Sequence, residues 1–194
     1  MKNKTLLLIA MSVTLAMNVI AQSNTQTTLT EQRSSLPYHY INIKGEMNVK
    51  LVQDEMPGVS VEGTNYQLGN TVTMLRSDTL FVYQTNRRKS DGKTWVTINV
   101  NDLALLEVSG KTKVDCSGLV NTDYLTVRAK DGAQIKLDVR ALKVQSEVTG
   151  CSFICLTGNA ASNVESVDGC GSIDSHLLDV MERRVYPVHL CSKC

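Results

Sequence analysis

The chain has 194 residues, with 20 Lys+Arg against 19 Asp+Glu, one Trp, two Phe and six Cys. A near-neutral balance without long runs of one sign excludes a nucleic-acid binder and gives no reason to expect an anionic membrane surface as partner. Valine, leucine, isoleucine and threonine must supply the core, which favours strands over helices.

The chain opens on Lys2 and Lys4, then an apolar run from Thr5 to Ile20, then small residues at Val19 and Ala21 before Gln22. That is the pattern of a secretory signal peptide over residues 1–21, cleaved between Ala21 and Gln22. The run is short for a membrane span and carries Ser12, Thr14 and Asn18, so no transmembrane segment is expected. Gln22 after the cut, rather than Cys, gives no lipoprotein anchor. Removing 21 residues from 194 leaves 173, and losing two lysines leaves 18 basic against 19 acidic residues, a net charge of about −1.

Residues 22–36 are polar and aperiodic and read as a flexible leader. From Tyr38 the sequence alternates: Ile41 and Ile43, then Met47, Val49 and Leu51, each fall on one face. Pro57-Gly58 marks a turn, and "TVTML", "RSD" and "TLFVYQT" read as a hairpin. "TWVTINVND" places Val96, Ile98 and Val100 inward and Trp95 on the other face. No segment holds a capped 3.6-residue apolar period over ten residues; "SHLLDVMERR" is the nearest to one. The prediction is one domain over 37–194, with antiparallel first strands over 37–102 and repeated coils over 103–194.

The repeats carry the second half. Val114, Ile135, Ile154 and Ile173 recur at spacings of 21, 19 and 19 residues, each following a corner at Gly110, Gly132, Gly150 or Gly169. A period of about twenty residues is the mark of a solenoid whose coils bury their apolar faces by stacking. The expected fold is therefore all-β: a right-handed parallel β-solenoid of three-sided coils of 19–21 residues, after an antiparallel strand-rich part.

All six cysteines lie between Cys116 and Cys194. In an exported chain they are disulfide candidates: Cys116, Cys151, Cys155, Cys170, Cys191 and Cys194. Cys151 and Cys170 occupy equivalent places on adjacent coils. Strand spacing of about 4.8 Å would allow a bond along the stack. The alternative is a ladder of free thiols packed as small hydrophobes. Cys191 and Cys194 form a C-x-x-C beside His189, but without a second ligand pair it reads as structural rather than as a metal or redox site.

The order of parts also resembles a known family. A strand-rich start ("INIKGEMNVKLVQDEMPGVSVEG"), a hairpin ending "DTLFVY", "VTINVNDLALLEVSG", and then corners GKTKV, DGAQI, GCSFI and GCGSI resemble the head GIN domain, the auto-transporter adhesin domain of exported bacterial proteins, over roughly Tyr38 to Leu190. The Asn of the family's naming motif is missing from all four corners. The resemblance implies a right-handed β-solenoid, no cofactor and no catalytic residue. Such proteins usually run on into one more coil. Here the sequence reaches "VYPVHLCSKC", which implies either a short last coil held by a disulfide or an open edge able to recruit another chain.

Function follows from these parts as an expectation: an exported, non-enzymatic surface or envelope protein, in the periplasm, on the outer surface or outside the cell. It would bind a glycan or protein ligand. The alternatives are an envelope assembly module that self-associates through its C-terminal solenoid edge, and a carbohydrate-active enzyme. His39, His176 and His189 are scattered and stand in no catalytic motif. Asp115, Asp138, Asp168 and Asp174 recur near the corners, where they solvate turns unless two meet across a sugar. Trp95 is a candidate for stacking on a ligand, and covering the seam between the first sheet and the solenoid, the more common role, explains it equally well. Asp78-Thr79-Leu80 matches a short glycosylation acceptor, and a hairpin turn explains it equally well.

Overall fold

The structure, a computed structural model, describes residues 27–33, 36–86 and 93–190. The expected signal peptide, its cut between Ala21 and Gln22, and Cys191 and Cys194 lie outside the described residues.

The elements follow the alternation of the sequence. They are β1 (Leu29–Arg33), β2 (Tyr40–Lys44), β3 (Asn48–Gln53), β4 (Gly58–Gly63), α1 (Asn65–Asn70), β5 (Thr71–Arg76), β6 (Thr79–Gln84) and β7 (Trp95–Val100). After these come β8 (Leu105–Ser109), β9 (Lys113–Asn121), β10 (Tyr124–Lys130), β11 (Gln134–Thr149), β12 (Phe153–Gly169) and β13 (Ser172–Leu190). Burial alternates along the strands, with Ile41 and Ile43 of β2 and Val96, Ile98 and Val100 of β7 turned inward.

Among the described residues the chain is all-β, as expected, apart from the six-residue α1. It is not the expected right-handed parallel β-solenoid. The thirteen strands join one mixed sheet in the order β1-β4-β7-β3-β9-β11-β10-β8-β2-β6-β5, with β12 on β11 and β13 on β12. This sheet curls into a nearly closed barrel of two walls. The guanidinium of Arg33, on edge strand β1, donates to the carbonyls of Leu68 (3.0 Å) and Thr71 (2.5 Å), beside the other edge strand, β5.

The reason lies in where the chain bends. The 19-residue period does fix a parallel register, with Ile135, Ile154 and Ile173 on one rung. It does not fix the number of sides. β11, β12 and β13 run for 16, 17 and 19 residues. β11 pairs β9 through Gln134–Arg140 and β10 from Lys143 on, so a single bend near Ala141 and Leu142 carries one strand through both walls. The first part is not simply antiparallel either. β2 runs parallel to β6 and β8, and β3 runs parallel to β7 and β9. Among the described residues, only β1–β4, β4–β7 and β5–β6 are antiparallel.

Two local expectations also change. Leu29–Arg33, inside the segment read as a flexible leader, pairs with β4 as β1. "SHLLDVMERR" lies within β13, because its register is set by β12 and not by its own helix propensity. Helix α1 was missed, although Thr64 and Gln67 make a capping box, Thr64 N–H donating to Gln67 Oε1 (2.8 Å) and Gln67 N–H to Thr64 Oγ1 (3.3 Å).

Rungs of buried side chains fill the space between the walls. One is Val96, Val49, Val114, Ile135 and Ile154, all almost fully buried. The facing wall starts with Leu80, Ile41, Leu106 and Val127, then becomes polar at Ser146 and Glu165. Gly110, Gly132, Gly150 and Gly169 all take positive φ at the turns. At Gly110 (φ 81°) a Cβ would also stand 2.4 Å from the carbonyl oxygen of Gly45.

Candidate functional site: a groove across the bent strands

The bends create the most distinctive surface. Where β9 meets β10 and where β11, β12 and β13 turn from one wall to the other, small side chains lie at the floor. These are Thr122, Ala141 and Ala160, all buried. Along one bank the register places Asn121, Arg140, Asn159 and Asp179 side by side, one per strand, all exposed. The other bank carries Asp123, Leu142 and Met181, with Met181 92 % and Leu142 54 % exposed. The groove between them has a cavity volume of about 420 Å³.

Neighbouring rungs are about 4.8 Å apart, so four rungs span about 14 Å. Among the described residues, no side-chain hydrogen bond or ion pair occupies Arg140, Asn159 or Asp179. Some charged groups elsewhere on the surface are paired. Arg128 meets Glu147 at 2.7 Å and Lys130 meets Glu107 at 3.1 Å, both across neighbouring strands. The Arg128 contact holds the Glu147 carboxyl below the usual carboxylate range. Thr122 is fixed at the floor by donating to Asp102 Oδ1 (2.7 Å).

The residues singled out by sequence do not meet in this groove. Trp95 is half exposed on β7, opposite Asn48 and Glu62. His39 pairs with Asp78 (2.9 Å), and His176 with Asp174. Asp115, Lys136, Cys155 and Asp174 share one rung, so Asp115 and Asp174 sit three strands apart, about 14 Å, with a lysine between them. Asp138 is on β11 and Asp168 on β12. Among the described residues, no three His, Cys, Asp or Glu side chains come together to hold a metal.

The expected Cys151–Cys170 bond is absent. Cys151 is an exposed free thiol, and Cys116 and Cys155 are also free. Cys170 is disulfide-bonded. Cys151 lies in the turn between β11 and β12 and Cys170 in the turn between β12 and β13, and equal spacing along the repeat does not by itself aim two side chains at each other. Cys116 Sγ accepts the Asp138 N–H at 3.0 Å, and burial pushes its thiol pKa up.

Sequence reading missed the groove because its residues are ordinary polar types at the ends of apparent strands. The signal was present in the repeat itself: Asn121, Arg140 and Asn159 follow the 19-residue period.

The molecule is a two-walled, strand-rich barrel with a groove across its bent strands. Residues 37–185 match the family described as putative auto-transporter adhesin, head GIN domain, and the chain belongs to that family. Solved structures share the fold. A putative adhesin from Parabacteroides distasonis is 16 % identical (TM-score 0.63), and one from Parabacteroides merdae is 17 % identical (TM-score 0.59). A putative lipid binding protein from Parabacteroides distasonis is 14 % identical (TM-score 0.66). In all three comparisons, 83 % of this chain aligns with 78 % of the other. No curated protein matches the chain.

Proposed function

We propose that this is an exported, non-enzymatic adhesin-like protein whose contact face is the groove over the strand bends. One observation carries the reading: a concave row of hydrogen-bonding side chains, one per strand, left without partners inside the molecule. Groups held by the sheet and uncommitted at home are prepared for a ligand, because little ordering remains to be done on binding. Family membership supports the adhesin-like role and an exported or surface location. Among the described residues, no helix is long and apolar enough to cross a membrane.

The test combines place and contact. Protease shaving of intact cells should release peptides from residues 38–190. Beads coated with the protein should be retained on a ligand surface and lose that retention with Arg140→Ala. Release of peptides only after lysis would move the protein to the periplasm and sink the adhesin role.

A second reading has its own observation. β13 pairs only with β12 among the described residues, and Leu177, Met181, Val185 and Tyr186 along it are exposed. An unpaired apolar edge favours self-association through this last strand. Light scattering that stays monomeric at high concentration, for wild type and Met181→Lys alike, would remove it.

A further inference from the structure

We infer that the groove takes a linear oligosaccharide lying across the strands, with successive sugar units reaching successive rungs. The inference rests on the groove being the contact face and adds the chemical class of what it holds.

Three features point to a glycan. The first is the mixture of groups. Along one bank stand an amide, a guanidinium, an amide and a carboxylate, at Asn121, Arg140, Asn159 and Asp179. Amides both donate and accept, guanidinium only donates and carboxylate only accepts. A hydroxyl does both, so a chain carrying many hydroxyls can satisfy all four, whereas a purely anionic ligand would meet the Asp179 carboxylate and a purely cationic one the Arg140 guanidinium. The formal charges of Asp123, Arg140 and Asp179 sum to −1, which gives no attraction for a polyanion.

The second feature is periodicity. The rungs repeat at the strand spacing of about 4.8 Å, comparable with the length of one pyranose unit, and extend over four strands. A polymer with a short, regular repeat can meet each rung in the same way.

The third is what the groove withholds. A peptide binds most readily by adding a strand to a free sheet edge or by sinking side chains into pockets. β11 and β12, the inner strands of the groove, are hydrogen-bonded on both sides; the free edge lies on β13 at the far end of the groove, where an added peptide strand would run along the strands and not across them. The floor is made by the small buried side chains of Thr122, Ala141 and Ala160, which offer no large apolar group to grip a peptide side chain. Leu142 and Met181 instead present apolar surface on which the C–H face of a sugar ring can lie.

The experiment uses the protein against a glycan series from monosaccharide to tetrasaccharide, in neutral and acidic forms, with an array of peptides beside it. Affinity should rise with each unit and level off once the rungs are filled. Arg140→Ala, Asn159→Ala and Asp179→Ala should each weaken binding about tenfold or more, the loss expected for hydrogen bonds involving charged or fully engaged groups. Trp95→Ala should change nothing. These side chains are exposed, so each variant should melt within a few degrees of wild type, which separates lost contact from lost fold.

Binding without length dependence, or glycan binding that survives both Arg140→Ala and Asn159→Ala, overturns the inference. Peptide binding that is lost in Asn159→Ala keeps the groove as contact face and discards the glycan. Binding of any kind that ignores every groove variant, or no binding across both panels, overturns the groove and the glycan together.

Discussion

The two ends of the barrel are built differently. At the N-terminal end each wall has its own short strands, the interior is apolar and α1 with Arg33 brings the edges together. At the C-terminal end single long strands serve both walls, the interior turns polar, and the last strand is unpaired on one side among the described residues. Ser146 and Asn163 are completely buried, and Glu165 is 7 % exposed. Asn163 Nδ2 donates to Glu165 Oε1 at 2.6 Å, and Ser175 Oγ donates to the same oxygen. Ser146 Oγ and Asn163 Oδ1 have no partner. The difference teaches that one end is organised for cohesion, while the other trades apolar packing for long bent strands that carry the groove.

That contrast can be broken by substitution. Ile41→Ala in the apolar end should cost about 2–5 kcal/mol in denaturant unfolding, the range for a large-to-small change in a packed core. Ser146→Ala sits on the same facing wall and should cost nothing, or raise stability by about 1 kcal/mol, because it removes an unpartnered hydroxyl. Equal losses at the two sites would erase the distinction.

The turns sharpen it next. Gly110→Ala meets both a positive φ and the Gly45 carbonyl, so a loss of about 2–3 kcal/mol is expected. Gly132→Ala has the positive φ alone, with open space around its Cβ, and should lose about 1 kcal/mol. Thermal unfolding of the pair separates steric conflict from backbone preference.

Arg33→Ala removes the clasp between the edges, and a loss of about 1–2 kcal/mol is expected. Hydrogen exchange should then rise in β1 and β5 and not in β12. Faster exchange spread evenly over all strands would contradict a clasp that acts on the edges.

The smallest effect is a titration. Glu147 is held ionised by Arg128, so its folded pKa lies below the unfolded one. Its contribution is therefore present above the unfolded value and lost as pH falls through the folded one. Both groups are about one-third exposed, and screening limits the pair to about 0.5 kcal/mol. The melting difference between wild type and Glu147→Gln should be visible at pH 7 and shrink as pH falls below the usual carboxylate range. A gap that does not shrink on acidification would mean the residue acts through packing.

Much of this was legible in the sequence. Alternation at Ile41, Ile43, Val96 and Ile98 named buried positions correctly, because a half-buried strand writes its period directly. The 19-residue repeat gave the parallel register of Ile135, Ile154 and Ile173. The wall count was not legible. A bend at Ala141 or Ala160 needs no proline or glycine, so nothing in the letters marked it. The cysteine pairing failed for a similar reason: equal spacing brings Cys151 and Cys170 to equivalent places without fixing their side-chain directions. The groove was hidden because uncommitted side chains are defined by absent partners, which only a three-dimensional register reveals.

The polar interior also has a thermal consequence. Exposing apolar surface on unfolding raises heat capacity and exposing polar surface lowers it, so stability that rests on apolar burial weakens on cooling. The Ile41 end should therefore soften in the cold more than the Glu165 end. Replacing Ser146 and Glu165 by Val and Leu should enlarge the calorimetric heat-capacity step; an unchanged step would mean that end is already as dry as the rest.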